Sequence, residues 1–175
     1  MLDRIIFLVG LPVSGIVSLG RRAARNLRIP FAELDQWIQE RTGLTPEAIA
    51  EKTGEDGLRQ VRMGAMSSLT GAGPGMIVPG EGAARIPEMR RIMRAWGSVI
   101  LLDRPAELLF PDGEEAEAPA EPEAPAEGDT AAKREAAEAL LEEYRALADV
   151  RIPYTGSADA AMLLLERVMK DRYHV

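Results

Sequence analysis

IIFLVGLPVSGIVSLG, residues 5–20 of a 175-residue chain, decides the fold. Residues 5–9 are apolar without interruption, which suits a strand covered on both faces in a parallel sheet; a strand wetted on one side would alternate. Gly10 ends the run, Gly15 follows five positions later, and the spacing beyond it predicts a helix over about 15–27. Strand, glycine-bounded turn and helix make the first βα unit of an alternating domain.

Working outward, a short apolar run near Pro30 and Phe31 precedes helices expected over about 35–41, 46–52 and 55–69. Residues 76–78 and 99–102 read as further buried strands, with a helix over about 87–96 between them. A helix over about 130–147, a strand at 149–153 and a last helix capped by Ser157 and running to about 172 complete the reading. The alternation is that of an α/β domain with a right-handed parallel sheet. Trp37 and Trp96 are expected to face the sheet, and Met63 and Met66 to fill gaps in the core. No internal repeat is present.

Composition excludes several classes of chemistry. With no cysteine, thiolate metal sites and cysteine nucleophiles are ruled out; the single histidine, His174, is next to last, which argues against zinc and serine–histidine catalysis. No apolar run approaches the roughly 20 residues that span a bilayer. The opening apolar run stops at Gly10 and Pro12, too early for a secretory signal, so a cytoplasmic protein is expected. The net charge of −7 is local: eight acids (Asp112, Glu114, Glu115, Glu117, Glu121, Glu123, Glu127, Asp129) fall in a stretch without Lys or Arg. Without them 20 acidic residues face 21 basic ones, and a near-neutral body gives no footprint for nucleic acid. Residues 111–129, rich in Glu, Ala and Pro, are expected to be a disordered insert, because such a composition buries too little surface to offset its ordering entropy.

Gly10, Ser14, Gly15 and Ser18 lie on the pattern of a phosphate loop. That loop reads G-x-x-x-x-G-K-[ST] between strand and helix, with backbone amides around the phosphates, a lysine on the β/γ oxygens and a hydroxyl on magnesium. Here the glycines keep their spacing, but Ile16 replaces the lysine and Val17 the hydroxyl residue. Phosphoryl transfer rests on positioning and electrostatic stabilisation. By analogy with deleting one preorganised donor, losing the lysine costs about 3–4 kcal/mol, or 10²–10³ in rate. The helix N-terminus still offers amides to an anion. The alternative is that both glycines serve only a tight strand–helix turn.

The seventy residues after Ile6 resemble the shikimate kinase family. Residues 6–20 are similar to its phosphate loop, 30–38 (PFAELDQWI) to its second strand and D-x-D segment, and 41–49 with 54–59 (RTGLTPEAI, GEDGLR) to its R-T-G…G-E-x-x-F-R run. Residues 99–105 and 144–150 continue the likeness. It implies that Asp35 binds substrate hydroxyls and supplies the catalytic carboxylate, the other role open to it being N-cap of the following helix. It further implies that Glu33 stands where the family has an aspartate near magnesium. Arg59 would pair with the substrate carboxylate, a contact suited to a planar guanidinium, unless it is only a solvated helix residue. Gly80 and Gly82 would lie in the glycine loop of the substrate site.

The chain also departs from that family. The triple-glycine loop reads Pro79-Gly80-Glu81-Gly82, bringing an anion toward the substrate side; desolvated like charges repel by several kcal/mol. No arginine precedes Tyr144, where Leu140, Leu141, Glu142 and Glu143 stand, and Arg145 falls on another helical face. Between Arg104 and Lys133, where the family's lid carries arginines, there is no basic residue.

The expected fold is therefore a three-layer P-loop-type α/β domain of about five parallel strands, built from residues 1–110 and 130–175, with 111–129 in place of the lid. The expected function is that of a catalytically impaired relative keeping a cleft for a small metabolite or nucleotide. One alternative is an active kinase using ATP and magnesium to phosphorylate shikimate, with Asp35 as base. Another is an interaction module recruiting a basic partner through the acidic segment. A monomer without nucleic-acid or membrane partners is expected.

Overall fold

The computed structural model describes residues 2–110 and 130–175; the stretch 111–129, expected to be a disordered insert, lies outside the described residues. Five strands, β1 (Ile5–Gly10), β2 (Phe31–Glu33), β3 (Met76–Val78), β4 (Gly97–Asp103) and β5 (Val150–Pro153), form one sheet in the order β2-β3-β1-β4-β5. All four pairings are parallel, with Phe7 opposite both Ile77 and Val99, and Leu102 opposite Ile152. Among the described residues, six α-helices alternate with them: α1 (Ile16–Leu27), α2 (Leu34–Thr42), α3 (Pro46–Gly71), α4 (Pro87–Trp96), α5 (Thr130–Leu147) and α6 (Ala158–Tyr173).

The uninterrupted apolar run of β1 is explained by what covers it. Successive strand residues point to opposite faces. Ile5, Phe7 and Val9 enter a core shared with Leu34, Ile38, Met66, Met89 and Leu141 of α2 to α5. Ile6 and Leu8 enter a second core with Leu19, Ala23, Leu165 and Met169 of α1 and α6. Every residue of β1 is buried. Three layers follow, with the sheet in the middle.

Local signals set the boundaries. Thr45 caps α3 by accepting from the Ala48 amide at 3.3 Å, and Ser157, as expected, caps α6 by accepting from the Ala160 amide at 3.2 Å. α3 runs through both helices expected at 46–52 and 55–69, but Gly54 interrupts it with φ 75° and ψ 173°, a backbone region essentially confined to glycine. Asp35 is not the N-cap of α2. Glu33 is, one residue before the helix, and α2 therefore begins at Leu34. Met66 is fully buried, but Trp96, expected against the sheet, is 58% exposed at the end of α4. Trp37 is half-buried, packed on the core, with the Arg41 guanidinium 4.2 Å above its ring. Among the described residues no helix is long and apolar enough to cross a membrane.

Candidate functional site

Because all strands run the same way, Gly10, Glu33, Val78 and Asp103 end at one edge of the sheet. The chain leaves β1 toward β2 and β4 toward β5, in opposite directions. Diverging connections from neighbouring strands open a crevice outside their carboxyl ends, where α/β proteins bind ligands.

The loop after β1 occupies this edge. Residues Pro12–Ser14 form a single 3-10 turn, and Gly15, at φ 71°, reverses the chain into α1 in a conformation that disfavours any residue with a Cβ. The loop thus turns tightly from strand to helix at Gly15, and the first amides of α1 have no partner within the helix. Its side chains are otherwise committed. The Ser14 hydroxyl donates to the Leu11 carbonyl at 2.5 Å and is buried. Ile16 is 4% exposed and belongs to the α1–α6 core. A Cβ on Gly10 would meet the Leu102 carbonyl oxygen at 3.1 Å and Ile16 Cδ1 at 3.2 Å, so this glycine has a packing reason to be small. Val17 and Ser18 are half-buried in the first turn of α1.

Glu33 accepts hydrogen bonds from the amides of Asp35 (3.0 Å) and Gln36 (2.6 Å), one on each carboxylate oxygen. Partial burial pushes its pKa up against the lowering effect of those two amides. With both oxygens turned to the helix and Val17 offering none, these residues do not fit a magnesium site. Among the described residues there is no group of three or more His, Cys, Asp or Glu placed to hold a metal.

Asp35 reaches the edge beside the loop after β3: a Cβ on Gly80 would stand 3.0 Å from Asp35 Oδ2. Its carboxylate is taken up by Arg62, which sequence reasoning missed. Arg62 donates from Nε to Oδ1 and from Nη2 to Oδ2, both at 3.0 Å, and the two side chains are 18% and 24% exposed. Arg59, one turn earlier on α3, instead pairs with Glu88 at 2.7 Å, in an exposed position where solvent screens the pair. That three-residue spacing puts both arginines on one helix face, and it was the available signal for Arg62.

The loop after β3 brings Gly80 and Gly82 to the same edge, Gly82 capping a short 3-10 turn at Ala83–Arg85. Tyr144 is buried behind it, its hydroxyl 3.5 Å from the Gly80 carbonyl, and burial pushes its pKa up to about 12. Glu81 is exposed, so solvent screens the repulsion expected from it. Arg145 is engaged by three carboxylates of the protein itself. It donates to Asp103 (2.8 and 3.1 Å), Glu138 (2.6 Å) and Glu142 (2.5 Å), and these hydrogen bonds, that to Asp103 foremost, push its pKa up. Arg85 pairs with Glu143 at 3.2 Å, and Arg104 lies 4.3 Å over the Tyr154 ring. The arginines along this edge thus each have a carboxylate or a ring.

The family model for shikimate kinase matches residues 13–169. The shikimate kinase of Dechloromonas aromatica is 36% identical over 107 residues, covering 61% of this chain and 58% of the relative. That of Cupriavidus pinatubonensis is 33% identical over 97 residues, 55% of this chain and 50% of the relative. The chain thus spans little more than half the length of these relatives. Among solved structures, the shikimate kinase of Bacteroides thetaiotaomicron superposes with a TM-score of 0.74 at 21% identity, covering 95% of this chain and 98% of the other. That of Acinetobacter baumannii, in complex with shikimate, gives 0.72 at 25% identity, covering 97% and 94%.

Proposed function

The chain belongs to the shikimate kinase family, and from that premise we propose that it is a member that binds a small ligand at the β-strand carboxyl edge but transfers phosphate poorly or not at all. The observation that carries this reading is Ile16. At the first position of α1, where the family's phosphate loop places its lysine, stands an aliphatic side chain 4% exposed and packed into the core. A migrating phosphoryl group would meet no positive charge there, and the helix N-terminus alone replaces only part of it.

Two further features support the same reading. Val17 cannot ligate magnesium, and Glu33 spends both oxygens on amides. Asp35, the residue that the family likeness makes the base, is engaged by Arg62. What remains suited to a ligand is the backbone of the loop through Gly15 and the surface around Gly80.

The second reading is an active shikimate kinase, and the family comparisons favour it: the family model and the matched relatives carry that name. A coupled ADP-release assay with shikimate, ATP and magnesium separates the two. The proposal expects turnover at least 10³-fold below a kinase of ordinary rate, from about 3–4 kcal/mol lost with the lysine and more with the hydroxyl. Turnover of ordinary enzymatic rate, abolished by Asp35→Asn, would establish the active reading and remove the proposed one.

A further inference from the structure

Asp35 is the carboxylate at the strand edge that faces the Gly80 loop, and its two oxygens are already served. Arg62 reaches it from the second half of α3, 27 residues away in sequence, and meets it fork to fork at 3.0 Å on each oxygen. Two parallel charge-assisted hydrogen bonds are the strongest arrangement available to a carboxylate and an arginine. Both side chains are mostly buried, at 18% and 24% exposure, so water screens the pair far less than it screens Arg59 and Glu88. A hydroxyl donates one neutral hydrogen bond. To seat on Asp35 in the plane of the carboxylate it has to displace one arm of this fork, exchanging a charge-assisted contact for a weaker one.

We propose that Arg62 is a specificity-determining residue that closes Asp35 to the hydroxyl groups of a ligand, so that this cleft has exchanged a polyol subsite for an internal ion pair. The inference rests on the reading of the Asp35 corner as the ligand side of the cleft. Gly80 is part of the same device. At φ 84°, with a would-be Cβ 3.0 Å from Asp35 Oδ2, it lets the β3 loop pass close against the carboxylate, leaving a ligand hydroxyl little other approach. Two elements are tied together as a result, because Asp35 lies in the first turn of α2 and Arg62 beyond the Gly54 kink of α3.

The test is titration calorimetry of shikimate into the full chain, as wild type, Arg62→Gln and Arg62→Lys, with circular dichroism and thermal melting to certify folding. Releasing the fork returns about one charged-group hydrogen bond to the ligand, so Arg62→Gln is expected to bind shikimate at least about tenfold more tightly than wild type. Arg62→Lys, which keeps the charge and loses the fork, falls between them. Should Arg62→Gln not fold, the Lys variant carries the test in the same sense. The gain disappears in the double variant Asp35→Asn, Arg62→Gln. Equal affinity in wild type and the folded variants, tighter binding by wild type, no binding by any of them, or a gain that survives Asp35→Asn each overturns the proposal. None of these outcomes measures phosphate transfer, so the ADP-release assay can fail or succeed independently.

Discussion

A glutamate at the end of a strand can serve a cation or the helix that follows, and the amides around Glu33 fix the choice. Its oxygens close two of the free N–H groups of α2, so truncation removes a cap and exposes Asp35 and Gln36 to a looser first turn. Caps of this kind are worth about 1 kcal/mol. Glu33→Ala is therefore expected to lower the melting temperature by roughly 2–4 °C in a chain of this length, read by differential scanning calorimetry, with no change in magnesium affinity. An unchanged melt would remove Glu33 from this role. Tyr144 offers a second check at the same scale. Burial raises its pKa from 10 to about 12, so below pH 10 the phenol is neutral folded or unfolded and contributes nothing to the pH dependence. Between pH 10 and 12 the unfolded chain gives up this proton while the folded one holds it. Stability on the order of 2–3 kcal/mol is lost over that interval as pH rises. Absorbance titration at 295 nm should show one tyrosine ionising near pH 12, a step missing from Tyr144→Phe.

At the scale of elements, the bend in α3 decides where Arg59 and Arg62 come to lie. Residues 46–53 and 55–71 have separate directions because Gly54 adopts φ 75° and ψ 173°, and no side chain crowds the position a Cβ would take there. The barrier to substitution is thus backbone strain alone, about 1–3 kcal/mol for a residue with a Cβ. Gly54→Ala should destabilise by that amount in urea unfolding; it should also weaken the Asp35–Arg62 contact by tilting the second half of α3, seen as faster amide hydrogen exchange in α2. A variant as stable as wild type would mean that the helix straightens without cost. The split was legible because Gly54 separates two stretches that each carry a helical pattern. What α2 does at its start was not, since Asp35 is a preferred capping type and Glu33 is not, and only the backbone path, extended through Glu33 and helical from Leu34, gives the cap to Glu33.

For the whole molecule, the order of strands and helices followed from the apolar runs because the central ones, in β1, β3 and β4, are short, bounded by glycine or proline, and buried on both faces. The cleft was legible only as a location. Glycine spacing placed the loop, but whether Asp35 meets a ligand or Arg62 depends on how α3 is laid across the sheet edge, a contact between residues 27 apart that no local pattern encodes. Trp96 failed for a related reason: its helix ends there, and β4 begins with Gly97 directly against the Ile5 carbonyl, leaving the indole outside. The sheet also partitions the interior, Ile38 lying in the core covered by α2 to α5 and Ile152 in the one covered by α1 and α6. They stand toward opposite edges, near β2 and on β5. Each Ile→Val change removes one buried methylene and costs about 0.5–1.5 kcal/mol. Sites without shared neighbours add to within about 0.3–0.5 kcal/mol. Urea unfolding of Ile38→Val, Ile152→Val and the double variant should therefore close additively, with an unchanged slope. A coupling above about 1 kcal/mol would mean that the two layers relax together through the sheet, and that a ligand bound at its carboxyl edge reaches both cores at once.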